Sequence, residues 1–326
     1  KILSSPNYTN KEWITNQYDQ MVMCDTAQRS GSDAAIIRIH KKEKAIAVCV
    51  DSSANYCKSH PITGGKQIVC ENWRNLIVVG AKPLAITNCL NFGNPENPEI
   101  MGEFAECLEG IKEACEFLDL PVVSGNVSFY NGTNKKNIFP TPVIGGVGLI
   151  KKLSKPIGHN FKKIKSNIIL IGKTFGHLEQ SCFLSENFGI YEGRPPEINL
   201  KNERNNGEIV SKLINEKLVL SAHDISSGGL LVALSEMSIG SNFGVKIDQP
   251  KKLRNIFEYF FGEDQGRYIL EIDQNHLKKV EKILKSSNIF HEIIGQTQKN
   301  FFEIDGEMKI SINDLFKINN QWYNNY

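Results

Sequence analysis

The spacing of apolar residues predicts a chain of alternating strands and helices. Short apolar runs at residues 34–39 and 45–50 flank a charged turn and predict a β-hairpin. Between Ile100 and Leu118 apolar residues recur at helical spacing with glutamates opposite, which predicts an amphipathic helix. Further strands are predicted at 120–123, 140–150 and 168–172. The pattern therefore indicates a mixed α/β (α+β) fold.

The remaining segments follow the same reading. Residues 1–19 predict a short helix docked on the body of the protein, and residues 151–166 predict a linker. Beyond the linker, helices are predicted at 176–188, 207–214 and 277–284, with a loop at 191–206. A strand at 218–224 leads through a glycine pair into another helix, and a strand at 290–294 precedes a terminal hairpin and short helix. The asparagines at 319–320 and 324–325 predict a frayed end.

Length and composition indicate two domains with reduced thiols. The 326 residues are 40% hydrophobic, enough for two cores. A net charge of +2 gives no argument for nucleic acid or an anionic membrane as a partner, and no apolar run is long enough to span a bilayer. The eight cysteines lack metal-ligand spacing, which favours free thiols in a cytoplasmic protein. Because the chain begins at Lys1, we expect a fragment or one product of a divided enzyme.

Two polar stretches follow predicted strands and are the strongest candidates for a ligand site. One is residues 124–131, after the strand at 120–123, and the other is residues 87–96, after an apolar run at 84–86. Ligands of α/β proteins commonly bind at strand ends. Gly125 would let backbone approach a phosphate, Asn126 offers a neutral oxygen to a cation, and Ser128 offers a hydroxyl to a substrate. Taken singly, each stretch is more often a polar turn.

Taken together, the two stretches resemble a specific family. Residues 90–95, Leu-Asn-Phe-Gly-Asn-Pro, and residues 124–131, Ser-Gly-Asn-Val-Ser-Phe-Tyr-Asn, resemble the second half of phosphoribosylformylglycinamidine synthase, the PurL subunit of purine biosynthesis. Shorter matches at 16–19, 64–67, 74–76 and 223–226 keep the same order along the chain. The resemblance implies a tandem fold like that of aminoimidazole ribonucleotide synthetase. An antiparallel, β-barrel-forming domain at 25–152 would follow a docking segment at 1–24 and precede a helix-covered mixed-sheet domain at 153–326.

The resemblance also implies roles for four residues. Asn88 and Gly125 match ATP-contacting positions, Asn126 matches a magnesium ligand, and Ser128 matches a substrate contact. Asn88 departs from the family pattern, in which aspartate is more usual. The catalytic histidine and most carboxylate ligands of the family belong to the first half, so no catalytic residue is assigned to this chain.

The implied reaction is the ATP-dependent conversion of formylglycinamide ribonucleotide to formylglycinamidine ribonucleotide. ATP phosphorylates the substrate amide oxygen, ammonia displaces phosphate, and Mg²⁺ neutralises phosphate charge. The implied partners are the first half of PurL, the glutaminase subunit PurQ and the small subunit PurS. Two alternatives stay open: a self-sufficient homodimeric synthetase, and a noncatalytic, nucleotide-binding scaffold half. Asn88 and Ser227, both where the family usually has carboxylates, favour the scaffold.

Four further features have competing interpretations. Gly64-Gly65 ahead of a predicted helix would suit an anion cradle, although such pairs are usually turns. Asp51 at a strand end suits magnesium or phosphate chemistry and a turn cap about equally. His223 and Asp224 point to opposite faces of a strand, which favours a phosphate-facing or interdomain turn over proton transfer. Glu263 and Arg267 match a ligand face in the family, but alone they predict a surface ion pair.

Overall fold

The computed structural model describes residues 1–134, 136–153, 156–250 and 255–324. The strands in chain order are β1 (Thr26–Gln28), β2 (Ala35–Arg38), β3 (Ala45–Asp51), β4 (Lys82–Asn91), β5 (Val122–Ser128), β6 (Gly132–Thr133), β7 (Lys136–Asn137), β8 (Thr141–Ile150), β9 (Asn167–Ile171), β10 (Ser221–Asp224), β11 (Phe243–Ile247), β12 (Tyr268–Ile272), β13 (His291–Lys299), β14 (Phe301–Ile304) and β15 (Met308–Ser311). The helices are α1 (Glu12–Thr15), α2 (Ala54–Ser59), α3 (Pro61–Val78), α4 (Pro98–Leu118), α5 (Cys182–Phe188), α6 (Leu200–Asn215), α7 (Gly229–Ile239), α8 (Ile256–Phe261), α9 (Leu277–Ser286) and α10 (Ile312–Asn324). None of these helices is long and apolar enough to cross a lipid bilayer.

The first sheet has six strands in the order β1-β2-β3-β8-β4-β5. The predicted hairpin is confirmed, since β2 and β3 pair antiparallel. The neighbouring pairs are antiparallel except for β4 and β5, which run parallel. Helix α4 connects that pair, because parallel neighbours need a long crossover. The sheet is thus mainly antiparallel, as predicted, with one parallel pair at its edge.

Helices α3 and α4 cover one face of the first sheet, and glycines let them approach closely. A Cβ at Gly65 would lie 2.4 Å from the Cys107 carbonyl oxygen, and one at Gly110 would lie 2.0 Å from that of Ile62. Helix α3 begins at Pro61, where the proline fixes the helical φ, and the Gly64 amide donates to the His60 carbonyl. Gly64 and Gly65 thus lie inside the helix, and the predicted anion cradle ahead of it is wrong.

The second sheet has seven strands in the order β10-β12-β9-β13-β11-β14-β15, mixed because β11 and β14 run parallel. Helices α7, α8 and α10 pack on one face, and α6 and α9 pack on the other. Helix α3 contacts the first sheet and also β10 and α6, so one apolar core continues between the two sheets.

Several predicted ends differ from the structure. The helix predicted at 176–188 begins only at Cys182, and the one predicted at 207 begins at Leu200, where the Asn199 side chain accepts from the Asn202 amide. The frayed end predicted at 319–320 is helical: the Asn319 amide group donates to two carbonyls of the opening segment. Trp13 stacks on Tyr323 at 4.8 Å between ring centroids, so the two ends of the described chain hold each other in place. Asn325 lies outside the described residues.

Candidate functional site at the open face of the first sheet

The two polar stretches lie on adjacent parallel strands. They were predicted as loops after short strands, but β4 continues to Asn91 and β5 to Ser128. In the register of the two strands Asn88 pairs with Gly125, Cys89 with Asn126, and Asn91 with Ser128. Backbone pairing to β8 and between the two strands outweighs the weak strand propensity of asparagine and glycine. The candidate residues are therefore brought together in one corner of the sheet.

The candidate residues fall on opposite faces of this corner. Side chains alternate along a strand, and register partners share a face. Asn88 and Gly125 share the face covered by helices, together with the buried Ile86 and Leu90. Asn126 and Ser128 share the other face, which we call the open face. The structure thus brings the four residues together as two pairs rather than as one cluster.

Asn88 lies directly over Gly125. A Cβ on Gly125 would be 2.0 Å from Asn88 Oδ1, so no larger residue fits while Asn88 keeps this position. The backbone of Gly125 is exposed on the sheet edge, and Asn88 is half-buried. The two residues form a single polar position, with a side-chain amide above an accessible stretch of backbone.

The hydroxyl of Ser128 is held in place by its neighbour. Ser128 Oγ and Asn131 exchange hydrogen bonds, at 3.3 Å to Oδ1 and 3.1 Å from Nδ2. Asn131 Nδ2 also donates to the carbonyls of Ser128 at 2.8 Å and Phe92 at 3.0 Å. Further contacts join the two stretches: the Tyr130 amide donates to the Gly93 carbonyl at 2.9 Å. The asparagine-rich segments therefore form one connected structure around Ser128.

The open face combines a polar corner with an exposed apolar strip. Beside Asn126 and Ser128 the corner carries the neutral side chains of Thr87, Ser124 and Cys89. Across β8, β3 and β2 the same face carries apolar side chains whose exposed fractions are large for such residues. They are Val50 (66%), Ile37 (42%), Ile46 (37%) and Val147 (37%). This strip, which we call the apolar strip, is a surface that another layer of protein would cover.

His223 and Asp224 join the second sheet to elements of the first. His223 Nδ1 lies 2.5 Å from Asp33 Oδ1, ahead of β2, while Asp224 Oδ2 accepts from Arg74 Nε on α3 at 3.1 Å. Burial lowers the pKa of His223, but the carboxylates of Asp33 and Glu236 outweigh it and raise that pKa well above its usual value. The interdomain interpretation agrees with these contacts.

Arg74 centres a buried charge network that the sequence interpretation did not single out. Its side chain is fully buried; Nη1 donates to both oxygens of Glu203 at 3.1 and 3.2 Å, and Nη2 donates to Gln265 Oε1 at 3.0 Å. The available signal was an arginine within the apolar stripe of a helix, beside Trp73, Leu76 and Ile77. Its partners could not be read from that signal, because they lie more than a hundred residues away.

The predicted surface ion pair between Glu263 and Arg267 is wrong. Both side chains are buried, and they bind different groups. Glu263 accepts from the Tyr56 hydroxyl at 2.5 Å and from the amides of Cys182 and Gly228 at 2.7 and 2.8 Å. The amide of the glycine turn at 228 thus points at an internal carboxylate, which argues against a phosphate-facing turn there.

Asp51 ties β3 to α3. Its oxygens accept from the side chains of Asn72 and Asn75, both at 2.8 Å. Burial raises its pKa to about 6, and the Asn72 hydrogen bond opposes that rise. Burial and the charge of Asp51 raise the pKa of the neighbouring Glu71 to about 8. These contacts favour a structural role for Asp51 over magnesium chemistry.

Stability should decrease between pH 5 and pH 8 because of Glu71. A carboxyl whose pKa is higher in the folded than in the unfolded state stabilises the protein below its unfolded pKa, and that contribution is lost as pH rises through the folded pKa. One pKa unit corresponds to about 1.4 kcal/mol. We therefore expect the free energy of unfolding to fall less between pH 5 and pH 8 in the Glu71→Gln variant than in the parent, by about 1 kcal/mol or more. Urea unfolding at each pH measures this difference. Glu109→Gln, an exposed control, should leave it unchanged; identical slopes for the two variants would contradict the assignment.

Two family descriptions match consecutive parts of the chain. Residues 31–150 match AIR synthase related protein, N-terminal domain, and residues 166–304 match AIR synthase related protein, C-terminal domain. The chain belongs to the AIR synthase-related proteins. This result confirms the predicted family and the α/β tandem fold class.

The sequence relatives of this AIR synthase-related chain include PurL subunits. It is 53% identical over 326 residues to the phosphoribosylformylglycinamidine synthase subunit PurL of Pelagibacter ubique, covering all of this chain and 45% of the relative. Identity to the same subunit of Rhodopseudomonas palustris strain HaA2 is 44%, with 44% of that relative covered. The chain spans less than half the length of these curated relatives.

Solved structures share the fold at lower identity. PurL of T. maritima complexed with FGAR superposes with a TM-score of 0.75 at 15% identity, over 97% of this chain and 52% of that one. The same enzyme complexed with ATP gives a TM-score of 0.71 at 15% identity, over 91% of this chain and 48% of that one. A structure titled tt0281 from Thermus thermophilus gives 0.66 at 15% identity, over 91% of this chain and 97% of that one.

Proposed function

We propose that this chain is the second half of a PurL-type synthase, with domains at 25–152 and 153–326 after a docking segment at 1–24. It takes part in the ATP-dependent conversion of formylglycinamide ribonucleotide to formylglycinamidine ribonucleotide, in the cytoplasm. The 53% identity to a PurL subunit supports the reaction class. The eight free cysteines suit a reducing compartment.

The open face is the observation that carries the half-enzyme proposal. The apolar strip is exposed in the isolated chain, and the neighbouring polar corner ends at β5, which pairs only with β4 among the described strands. A homologous first half would cover the strip and the edge of β5 and so close a barrel. The polar corner would then lie between the two halves and form part of a shared site.

Each of the four candidate residues has a proposed role at this corner of the sheet, two on the open face and two on the face covered by helices. Asn88 and Gly125 contact ATP through the side-chain amide and the exposed backbone. Ser128 contacts the ribonucleotide substrate, since Asn131 orients its hydroxyl. Asn126 supplies an oxygen ligand to Mg²⁺, which neutralises phosphate charge when bound. The side chains beside Asn126 are neutral, so the first half would have to supply the carboxylates of the metal site together with the catalytic histidine.

The partners follow from the reaction. Ammonia would come from a glutaminase subunit of the PurQ type, with a small subunit of the PurS type in the assembly. A T. maritima structure is titled as PurLQS and superposes on this chain with a TM-score of 0.69. A self-sufficient homodimer would instead cover the open face with a second copy, and a scaffold half would bind nucleotide without turnover.

ADP release tests the proposal. With formylglycinamide ribonucleotide, MgATP and ammonium chloride, we expect turnover only after a PurL first half is added. Ser128→Ala should then lower kcat/KM about tenfold or more, because it removes one substrate hydrogen bond. Ser286→Ala, on an exposed helix end, is the matched control and should not change turnover. Turnover by the chain alone would support the homodimer, and nucleotide binding without turnover in the mixture would support the scaffold.

A further inference from the structure

Two histidines and an aspartate meet at the junction of the two sheets. Asp33 precedes β2, His159 lies in the connection between the sheets, and His223 lies on β10. One ligand-capable atom from each residue lies within 4.8 Å of the other two. The three residues come from separate parts of the chain, so the fold itself creates the cluster.

Two atoms of this cluster are buried without a hydrogen bond. Within the described part of the chain, Asp33 Oδ2 and His159 Nδ1 have no hydrogen-bond partner, although the Asp33 side chain is 1% exposed. The two atoms lie 3.6 Å apart, too far for a hydrogen bond. Leaving a buried polar atom unpaired costs roughly 1–3 kcal/mol, so a ligand that bound both atoms at once would stabilise the folded state.

His223 has, at Nε2, the carboxylate partner that the outer nitrogen of a metal-binding histidine usually has. Its Nδ1 faces Asp33, and its Nε2 lies 3.1 Å from Glu236 Oε2. Metal-binding histidines usually direct the second ring nitrogen to a carboxylate or carbonyl, which fixes the ring and its tautomer. Glu236 occupies that outer position here.

We propose that Asp33, His159 and His223 bind a divalent transition-metal ion of the zinc type. Two imidazole nitrogens and a carboxylate oxygen form a donor set that suits zinc. Two ligands at about 2.0–2.1 Å from a tetrahedral ion are separated by roughly 3.3 Å. The 3.6 Å between Asp33 Oδ2 and His159 Nδ1 is close to that separation.

A proton is the simplest competitor for the metal. A protonated His223 between Asp33 and Glu236 accounts for the two short contacts of its own ring. It leaves His159 Nδ1 and Asp33 Oδ2 unpaired, whereas a metal ion would satisfy both. The contribution of His159 to metal binding therefore separates the two possibilities.

A metal ion here would hold the two sheets in their relative positions. Asp33 belongs to the first sheet's side of the junction, and His223 belongs to the second sheet. A ligand that binds only the folded state stabilises the protein. The stabilisation grows with the logarithm of the ligand concentration once that concentration exceeds Kd. The site lies apart from the polar corner, so this inference does not depend on the proposed synthase activity.

Cobalt and zinc titrations of the full 326-residue chain test the site, in a Cys24→Ser background that removes the exposed thiol. We expect one equivalent of Co²⁺ to give visible d–d absorption without a thiolate charge-transfer band, and Zn²⁺ to displace it. His159→Ala should weaken binding at least tenfold and abolish the rise in Tm that Zn²⁺ gives the parent. His40→Ala is the control, because His40 is an exposed histidine that pairs with Asp25 and belongs to no three-residue ligand cluster among the described residues.

Equal binding by the parent and the His159→Ala variant would overturn the proposal, as would the absence of a saturable cobalt spectrum. The Tm of each metal-free protein is measured as the control for loss of folding. His159 has no hydrogen bond through Nδ1 to lose, so its replacement should leave the metal-free Tm nearly unchanged. Parent-like metal-free Tm with lost metal response is the supporting result.

Discussion

Replacing Arg74 by methionine should destabilise the protein by about 3–5 kcal/mol, because it leaves buried carboxylates without their cation. Glu203 and Asp224 are 1% and 2% exposed, and both bind this guanidinium. Burial raises the pKa of each, and the Arg74 charge opposes that rise. Without Arg74 both carboxyls should take up protons on folding, so the loss should be larger at pH 8 than at pH 5. Urea unfolding at the two pH values measures this.

Arg204→Met is the matched control for that measurement. Arg204 lies on α6 with Glu203, but it binds the 87% exposed Asp119. An exposed pair contributes roughly 0–1 kcal/mol, so the control should stay near the parent. Equal losses for the two variants would show that Arg74 does not organise the junction of the sheets.

Local patterns predicted the elements that lie within one stretch of chain. The hairpin at 34–50 and the helix ending at Leu118 are confirmed because alternation and helical spacing are repeated several times in each. The predicted strand ends are wrong where the strands contain small polar residues. Asn88, Gly125 and Asn126 are poor strand formers by propensity, and only pairing with neighbouring strands makes them extended.

Contacts between residues that lie far apart in the sequence could not be predicted from local patterns. The sequence predicts Gly65 before a helix, whereas it lies within one, at a point where a second helix passes too close for a side chain. Glu263 and Arg267 appeared to form a surface pair, yet each fills a buried position among backbone amides or carbonyls. The identity of a residue indicates which groups it can bind, but burial and partner are set by tertiary packing.

The faces of β4 and β5 affect how the candidate site can work. Alternation places Asn126 and Ser128 on the open face, with Asn88 and Gly125 behind them. A ligand that contacts all four must therefore pass around the exposed edge of β5. That edge is also where a first half would dock, so ligand binding and association of the halves should depend on each other.

Introducing charge into the apolar strip should greatly weaken association with a PurL first half. Val50 is 66% exposed and Ile46 is 37% exposed, so the double variant Ile46→Asp, Val50→Asp should fold with a Tm near that of the parent. Two carboxylates buried against an apolar partner face would be unpaired, and each costs several kcal/mol. We expect the apparent Kd measured by analytical ultracentrifugation to rise at least 100-fold, since 1.4 kcal/mol corresponds to a factor of ten.

Phe188→Asp is the control for the charge itself. Phe188 is 63% exposed at the end of α5, in the part of the chain that carries the second sheet. It should leave the Kd and the substrate-stimulated ADP release of the mixture unchanged. If the strip variant associates as tightly as the parent, the halves do not meet through the open face. If Phe188→Asp weakens association equally, the effect of the strip variant comes from added charge in general and does not support contact through the open face.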